Sequence, residues 1–573
     1  MTATRLQEDL QKAHKRRKSR ESFLETIESI IVAFVLAFIF RAFVVEAFVI
    51  PTGSMAATLY GAHLEFKCSD CGYDFAVGAD GLPAMEPVCP NCFLPQHVPS
   101  RLPLYAGDRI LVLKFLYDFR PPQRWDVIVF HNPNQPDQNY IKRLVVLPGE
   151  TIELVRGDVT INGKIVQKTD VAQDALWMLV HDTRYKPTRR DWRPRWIADS
   201  PWQPQQAGFV AEKPPARDKT AWLTYQQRDP MGRVGNIGDF YGYNSGSDGR
   251  RLGSAVCTDL SLRTEVTAGQ ATSVVVIEMR AYKDTLRFEL TAEGSEQPTR
   301  ILLNDKPVAQ ASAGVLAVGR TITVEAANVD HKLMLRVAGK RVTPIRSLET
   351  TPEGDVIYTP TPLSPKEERL YDPRPLRMEE YRLLGPEPLS REEYHTFNPE
   401  PLWAGKERLF DPKPLTPAEF DRLIRSALSD EERRFFDSKP MTRDERRLFD
   451  HRKKNDPQAL AASVRMGVRG GTATIGHLRL DRDVYYLNEN EQLAGAATRH
   501  GTEGHPFTLE QGEYFVMGDN SPKSFDCRLW PLPRPVVPQK NLVGKAFFVY
   551  WPSAGTRYGI PLAPDATGFR LVH

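Results

Sequence analysis

The sequence has little surplus charge of either sign: 76 basic against 72 acidic side chains leave a formal net charge of +4 over 573 residues. So close a balance gives no basic footprint, and no nucleic-acid partner is expected. Long hydrophobic runs are scarce too. A single segment is strongly apolar, which limits the chain to one helical membrane span. Cysteine is rare, with six residues, and four of the six crowd between positions 68 and 92. Length, by contrast, is ample. A chain of this size should hold roughly two to four domains, each burying its own core.

Lys12, Lys15, Arg16, Arg17, Lys18 and Arg20 stand just ahead of the apolar segment. From Phe23 to Phe40 it reads FLETIESIIVAFVLAFIF, with Glu25 and Glu28 near its start and an unbroken apolar run from Ile30 to Phe40. A helical span needs about 20 mainly apolar residues, so the segment is marginal, and its carboxylates must reach the interface. The basic flank marks the cytoplasmic side. That sets a cytoplasmic tail at 1–21 and a single-pass transmembrane helix at 22–41, with the rest of the chain outside the cytoplasmic membrane. A cleaved secretory signal is the alternative, since a basic flank, a short apolar core and Val45-x-Ala47 also fit that pattern. Either way the bulk of the chain is exported.

Beyond Arg41 the patterns are mainly β. AFVVEAFVI ends at Pro51, and further strand patterns run over Arg109–Lys114, Asp126–Phe130, Ile141–Leu147 and Thr151–Gln167, the last with an Asn162-Gly163 hairpin signal. The stretch 171–215 lacks periodicity and reads as an irregular connector. Short strands with turns over 216–350, resumed at 456–490 by GHLRLDRDVYYL, suggest an inserted β-sandwich of jelly-roll or laminin-G-like form. Between its two parts lies a repeat. Pro-x-Pro-Leu starts at Pro360, Pro373, Pro386, Pro399 and Pro412, a 13-residue period, and 351–455 reads as a Pro-rich semi-rigid spacer.

Three separated segments carry the chemistry. Ser54 follows Gly53 at the end of an apolar strand, in VIPTGSMAATL. Lys142 stands among apolar neighbours in YIKRLVVLPGE. A serine needs a base to become a nucleophile, and a lysine serves as one only when burial lowers its pKa enough to leave it neutral. The third segment, EYFVMGDNSPKSFDCRLW from Glu513, completes a set that resembles type I signal peptidases, the serine-lysine peptidases of the S26 family. PTGSMAATL, GDRILVLKF, YIKRLVVLPGE and GDNSPKSFDCR with the tail NLVGKAFFVYWP stand in the family's order and cover about a third of the chain.

The resemblance implies a mainly β fold: a signal-peptidase-type catalytic domain behind one N-terminal transmembrane helix, divided into 42–62 with the nucleophile, 101–170 with the general base, and 491–573. It implies Ser54 as nucleophile and Lys142 as general base. Thr52 would join the Ser54 amide in the oxyanion hole, and Ser524 would orient the lysine amine. Asp526 and Arg528 would form a structural ion pair, with Asp519 and Asn520 structural near the site. The implied activity is endoproteolytic removal of signal peptides from exported preproteins after small residues, with the lipid bilayer as second partner and no cofactor in catalysis. Two positions depart from the family: Ala57 stands where proline is frequent, and Cys527 where serine is common.

Cys68-x-x-Cys71 and Cys89-x-x-Cys92 have zinc-ribbon spacing, so 63–100 reads as an inserted ribbon holding a structural zinc. Two disulfides are the alternative in an oxidising compartment. Cys257 reads as a buried apolar residue. The sandwich shows no acid pair or ligand cluster for catalysis, which leaves protein or glycan as candidate ligands. A catalytically idle membrane-anchored scaffold is the competing class. A cytoplasmic self-cleaving repressor also uses a Ser-Lys pair, but its DNA-binding helices are missing and the apolar segment would go unexplained.

Overall fold

The computed structural model describes residues 26–36, 38–79, 86–99, 103–215, 219–228, 234–245, 255–342, 346–347, 350–363, 461–488, 499–551, 556–557, 560–561 and 569–572. The fold is mainly β. Nearly all of the 13-residue repeat segment lies outside the described residues.

The catalytic segments come together in one antiparallel sheet. Its strands lie in the order Val45–Val49, Arg109–Leu113, Leu542–Trp551, Val127–Asn132, Gln135–Val146, Glu513–Met517 and Val537–Pro538. Widely separated sequence thus becomes adjacent strands, because Val- and Ile-rich runs can satisfy their backbone groups and bury a face only against one another. The strand carrying Lys142 begins at Gln135 rather than at Ile141. In its polar first half, QPDQN, Gln135 pairs with Asn132 and Asn139 with His131 at the hairpin end, where pairing prevails over composition. A smaller sheet joins Thr151–Val155 to Asp158–Ile161 and Lys164–Ile165. Asn162 and Gly163 make its turn with φ of 52° and 76°, the left-handed pair that a tight hairpin demands.

Residues 63–79, 86–99 and 103–105 form a small unit in which His63–Lys67 pairs with Asp74–Gly78 and Leu104–Tyr105. The largest core lies between two further antiparallel sheets. One centres on Leu260–Ala268, Thr321–Val329 and Ala473–Arg482, the other on Val274–Ala281, Asp284–Thr291 and Ala462–Arg469. Leu262, Val266, Ile277, Phe288, Val324, Met466 and Leu480 are all fully buried between them.

The connector at 171–215 is not irregular. Thr169 caps a helix over Asp170–Leu176, and Met178–Asp182, Trp196–Ala198 and Phe209–Ala211 each pair with a sandwich strand. These strands are short, and their partners rather than any period of their own define them.

At the N-terminus, residues 26–36 and 38–39 are helical and lead through a π-helical turn, Phe40–Val44, into the first strand. Ile30, Ile31, Phe34, Leu36 and Phe38 are 49–66% exposed. Among the described residues no helix is long and apolar enough to cross a membrane.

Candidate active site

Strand Val45–Val49 stops at Pro51, which has no N–H to extend the ladder. A single 3₁₀ turn follows over Gly53–Met55 with Ser54 at its centre, buried, and closed by the Ala56 N–H donating to Gly53 O at 3.1 Å. The turn lies against the strand that carries Lys142, whose Nζ is 2.7 Å from Ser54 Oγ and 3.1 Å from the carbonyl of Ile141. Lys142 is only 4% exposed. Burial lowers its pKa to about 8; the nearby carboxylates of Asp526 and Asp519 pull the other way and Arg528 adds to the depression. About a tenth of the amine is therefore neutral at pH 7, and a neutral amine beside a hydroxyl can take its proton.

Successive residues leave a strand on opposite faces, so Arg143 points away from Ser54. Its Nε and Nη2 grip Asp519 at 2.7 Å each, and its Nη1 donates to Trp125 O at 2.9 Å. Thr58 Oγ1 donates to the same carboxylate at 2.5 Å. Asp519 thereby ties the segment after the serine, the lysine strand and the Gly518–Arg528 loop into one buried knot. Asn520 adds a second tie: its backbone N–H donates to Ser54 O at 3.1 Å and its Nδ2 to Gly53 O at 2.9 Å.

The loop beyond is braced by Asp526 and Arg528. Arg528 Nε and Nη2 donate to the two carboxylate oxygens at 2.8 Å, Nη1 reaches Ser521 Oγ at 2.7 Å, and the Gly518 N–H donates to Asp526 Oδ2 at 3.0 Å. Burial pushes the Asp526 carboxyl up, but the charge of Arg528 and hydrogen bonds from Arg528, Ser524 and Gly518 outweigh it and hold it below the usual range. Ser524 is fully buried, with its hydroxyl toward Asp526. A Cβ on Gly518 would stand 2.3 Å from Ser524 Oγ and 2.5 Å from Ser54 O, so only glycine lets the three segments close. Thr52 precedes the turn as its exposed cap residue and makes no capping bond. Cys527 is buried and accepts from the Val516 N–H at 3.3 Å.

Two further residues at this place carry no signal in the sequence. Tyr243 packs on Gly53, and Asn244 is hydrogen-bonded to Asn520 at 2.8 Å. Both come from the stretch before the main sandwich strands, where a single sequence offers nothing to distinguish them from turn residues.

The four ribbon cysteines are buried free thiols whose sulfurs lie within 4.8 Å of one another. Cys68 Sγ and Cys92 Sγ are 3.6 Å apart, and Cys71 Sγ and Cys89 Sγ 3.7 Å. A tetrahedron with metal–sulfur bonds of about 2.3 Å has edges of about 3.8 Å, whereas a disulfide needs about 2.05 Å. The donor set fits a metal and not two cross-links. The knuckle turns, Gly72 N–H to Cys68 O and Phe93 N–H to Cys89 O, aim the sulfurs inward.

A serine and a buried lysine in contact, beside a β-sheet with a braced loop, make an arrangement of the kind that Ser-Lys hydrolases use. The family model described as signal peptidase, peptidase S26, matches residues 99–193 and 448–551. Lys142 and Gly518–Arg528 fall within the match, and Ser54 lies ahead of it. The chain is 28% identical to signal peptidase I of Rickettsia typhi over 154 residues, which is 27% of this chain and 49% of that protein. To signal peptidase I of Rickettsia akari it is 31% identical over 136 residues, covering 24% and 42%. With the probable signal peptidase I-1 of a Synechocystis strain it shares 38% identity over 95 residues, covering 15% and 48%. The chain thus spans about half the length, or less, of these curated relatives. Among solved structures it is similar to a carbohydrate binding module, CBM66, from Bacillus subtilis, at a TM-score of 0.18 and 8% identity, covering 27% of this chain and 81% of that one. A TM-score that low establishes no shared fold.

Proposed function

We propose that this chain is a signal peptidase I, a membrane-anchored serine endopeptidase that removes signal peptides from exported preproteins. The observation that carries the reading is the 2.7 Å contact between the Lys142 amine and the Ser54 hydroxyl inside a site that burial keeps dry.

In the proposed mechanism neutral Lys142 takes the Ser54 proton as Oγ adds to the scissile carbonyl. The resulting oxyanion faces the Ser54 amide and the Thr52 hydroxyl, donors whose value lies in charge that develops only in the transition state. The lysine ammonium then protonates the leaving amine, and the acyl ester stays on Ser54. Lys142, neutral again, deprotonates a water that attacks the ester and frees the serine. Ser524 orients the lysine amine, while Asp519, Asn520, Asp526 and Arg528 hold the three segments in register. An extended substrate adds along a strand edge, with shallow pockets for the small residues before the cut.

Residues 22–41 are read as the anchor, with the N-terminus cytoplasmic and the catalytic sheet on the outer face. Support comes from the basic flank and from the exposed Ile, Phe and Leu side chains ahead of the first strand. The Cys68, Cys71, Cys89 and Cys92 cluster is read as a structural zinc site, closed by four thiolates and without a part in the reaction. The two large sheets are read as an inserted jelly-roll sandwich whose candidate ligand is protein or glycan.

The test is cleavage of a preprotein with an A-x-A site by the detergent-solubilised chain, with the cut mapped by mass spectrometry. The parent should cut after the small residue, and Ser54→Ala and Lys142→Met should both be inactive. An inert parent, under conditions where a proven signal peptidase cuts the same substrate, would end this reading.

A further inference from the structure

Asn520 holds the Gly53 and Ser54 carbonyls of the turn that carries Ser54, and its own side chain is held in turn. Asn244 Nδ2 donates to Asn520 Oδ1 at 2.8 Å, and Asn520 Nδ2 reaches Asn244 Oδ1 at 2.9 Å. A reciprocal amide pair fixes the rotamer of each partner, because any rotation breaks two bonds together. Asn244 belongs to neither matched peptidase segment. It ends the 3₁₀ turn Gly242–Asn244, between the strand Val234–Gly235 and the sandwich strand Leu260–Ala268.

Its neighbour Tyr243 is 3% exposed and lies on the nucleophile turn itself, where a Cβ on Gly53 would come within 2.3 Å of the ring. The ring also stacks on Tyr60 at 5.6 Å. The turn has rigid support on two further sides. Arg482 of the sandwich donates to the carbonyls of Asp239 at 2.7 Å and Phe240 at 3.0 Å. From the cysteine ribbon, the Val88 N–H donates to Ser245 Oγ at 3.0 Å, and the Ser245 hydroxyl donates to Gly242 O at 2.6 Å.

We infer that Asn244 is a positioning residue for Ser54, acting through Asn520, and that Tyr243 walls the nucleophile turn, so that the inserted sandwich completes the peptidase site. The inference rests on the reading of Ser54 as nucleophile. A misplacement of the attacking oxygen by about an ångström costs about a hundredfold in rate, and among the described residues Asn520 alone bonds both the Gly53 and the Ser54 carbonyls. Without Asn244 the Asn520 amide is free to turn away from Gly53.

The experiment is steady-state cleavage of the same preprotein by the full chain carrying Asn244→Ala, Asn520→Ala or both. Asn244→Ala should lower kcat about tenfold or more, with KM changed less than about twofold, and Asn244→Asp, which keeps an acceptor for Asn520 Nδ2, should recover part of the loss. In the Asn520→Ala background Asn244→Ala should add nothing, since its route to Ser54 is already cut. Amide exchange should rise over 51–59 and stay unchanged over 274–281. Parental kcat in Asn244→Ala, or the same fold-loss in the Asn520→Ala background, would overturn the inference while leaving the Ser54 reading intact. Should Asn244→Ala lose the fold, seen as fast exchange at 274–281, Asn244→Asp decides by the same criteria. A parent as inert as its Ser54→Ala variant overturns both readings at once, and so is told apart from failure of the inference alone.

Discussion

Lys142 has the burial of a core residue and the charge of a surface one, and the conflict lowers its pKa. Burial brings its pKa down to about 8 from the usual 10.5, so the proposed cleavage should quicken as pH rises through about 8 and the amine loses its proton. The same shift has a stability side. Between about pH 8 and 10.5 the unfolded chain binds the lysine proton and the folded chain does not, so stability from this group rises with pH across that window and the penalty is fullest below it. Lys142→Met removes the penalty. Its melting temperature should exceed the parent's at pH 6.5, and the gap should narrow at pH 9.5, both read by thermal unfolding in the same detergent. A gap that stays constant with pH would show that the lysine is not held neutral by burial.

The 3₁₀ turn at Gly53–Met55, the Gln135–Val146 strand and the loop from Gly518 to Arg528 are tied to one another by Asp519 and Asn520. The Arg143–Asp519 pair is fully buried and doubly bonded, with the guanidinium spoken for by Asp519 and Trp125 O. Removing one partner leaves the other charge buried and uncompensated, which costs about 3–5 kcal/mol. Asp519→Ala should therefore lower the unfolding free energy read from urea titration of the solubilised chain by about that amount, and abolish cleavage with it. Lys142→Met should abolish cleavage without any such shift. The contrast separates a brace from a reacting group.

Across the whole molecule the peptidase sheet and the sandwich are joined by a buried charge. Lys168 Nζ donates to Asp330 Oδ1 at 2.5 Å and to Asp483 Oδ2 at 2.7 Å, locking the segment after the strand Lys164–Ile165 onto two sandwich loops. The cysteine ribbon makes a second junction, through Asn91, which donates to Tyr185 O and accepts the Asp182 N–H. With zinc in the cluster, metal analysis of the purified chain should find about one zinc per chain. Cys89→Ser should lose it and melt at a lower temperature. Full occupancy in that variant would rule out the four-thiolate site. Because Val88 of the ribbon supports Ser245, loosening there reaches toward the Asn244 turn as well.

How much of this was legible in the sequence depended on whether the signal was local. The Asn162-Gly163 turn, the paired C-x-x-C knuckles and the apolar strand runs are short-range patterns that residue type and spacing are enough to read, while the boxes around Ser54, Lys142 and Asp519–Arg528 are legible through their resemblance to a family. The strands within 171–215 were not legible, because each is two to five residues long and exists only through its partner in a sheet. Asn244 and Tyr243 were not legible for the same reason. Their partners stand at positions 520 and 53, and no pattern within the chain links an asparagine and a tyrosine to residues so far away in sequence. The chemistry on offer is a property of residue types, which the sequence by itself determined. Which groups meet, and whether the lysine among them is dry enough to act as a base, was decided only by packing, since contact and desolvation arise between segments and belong to none of them.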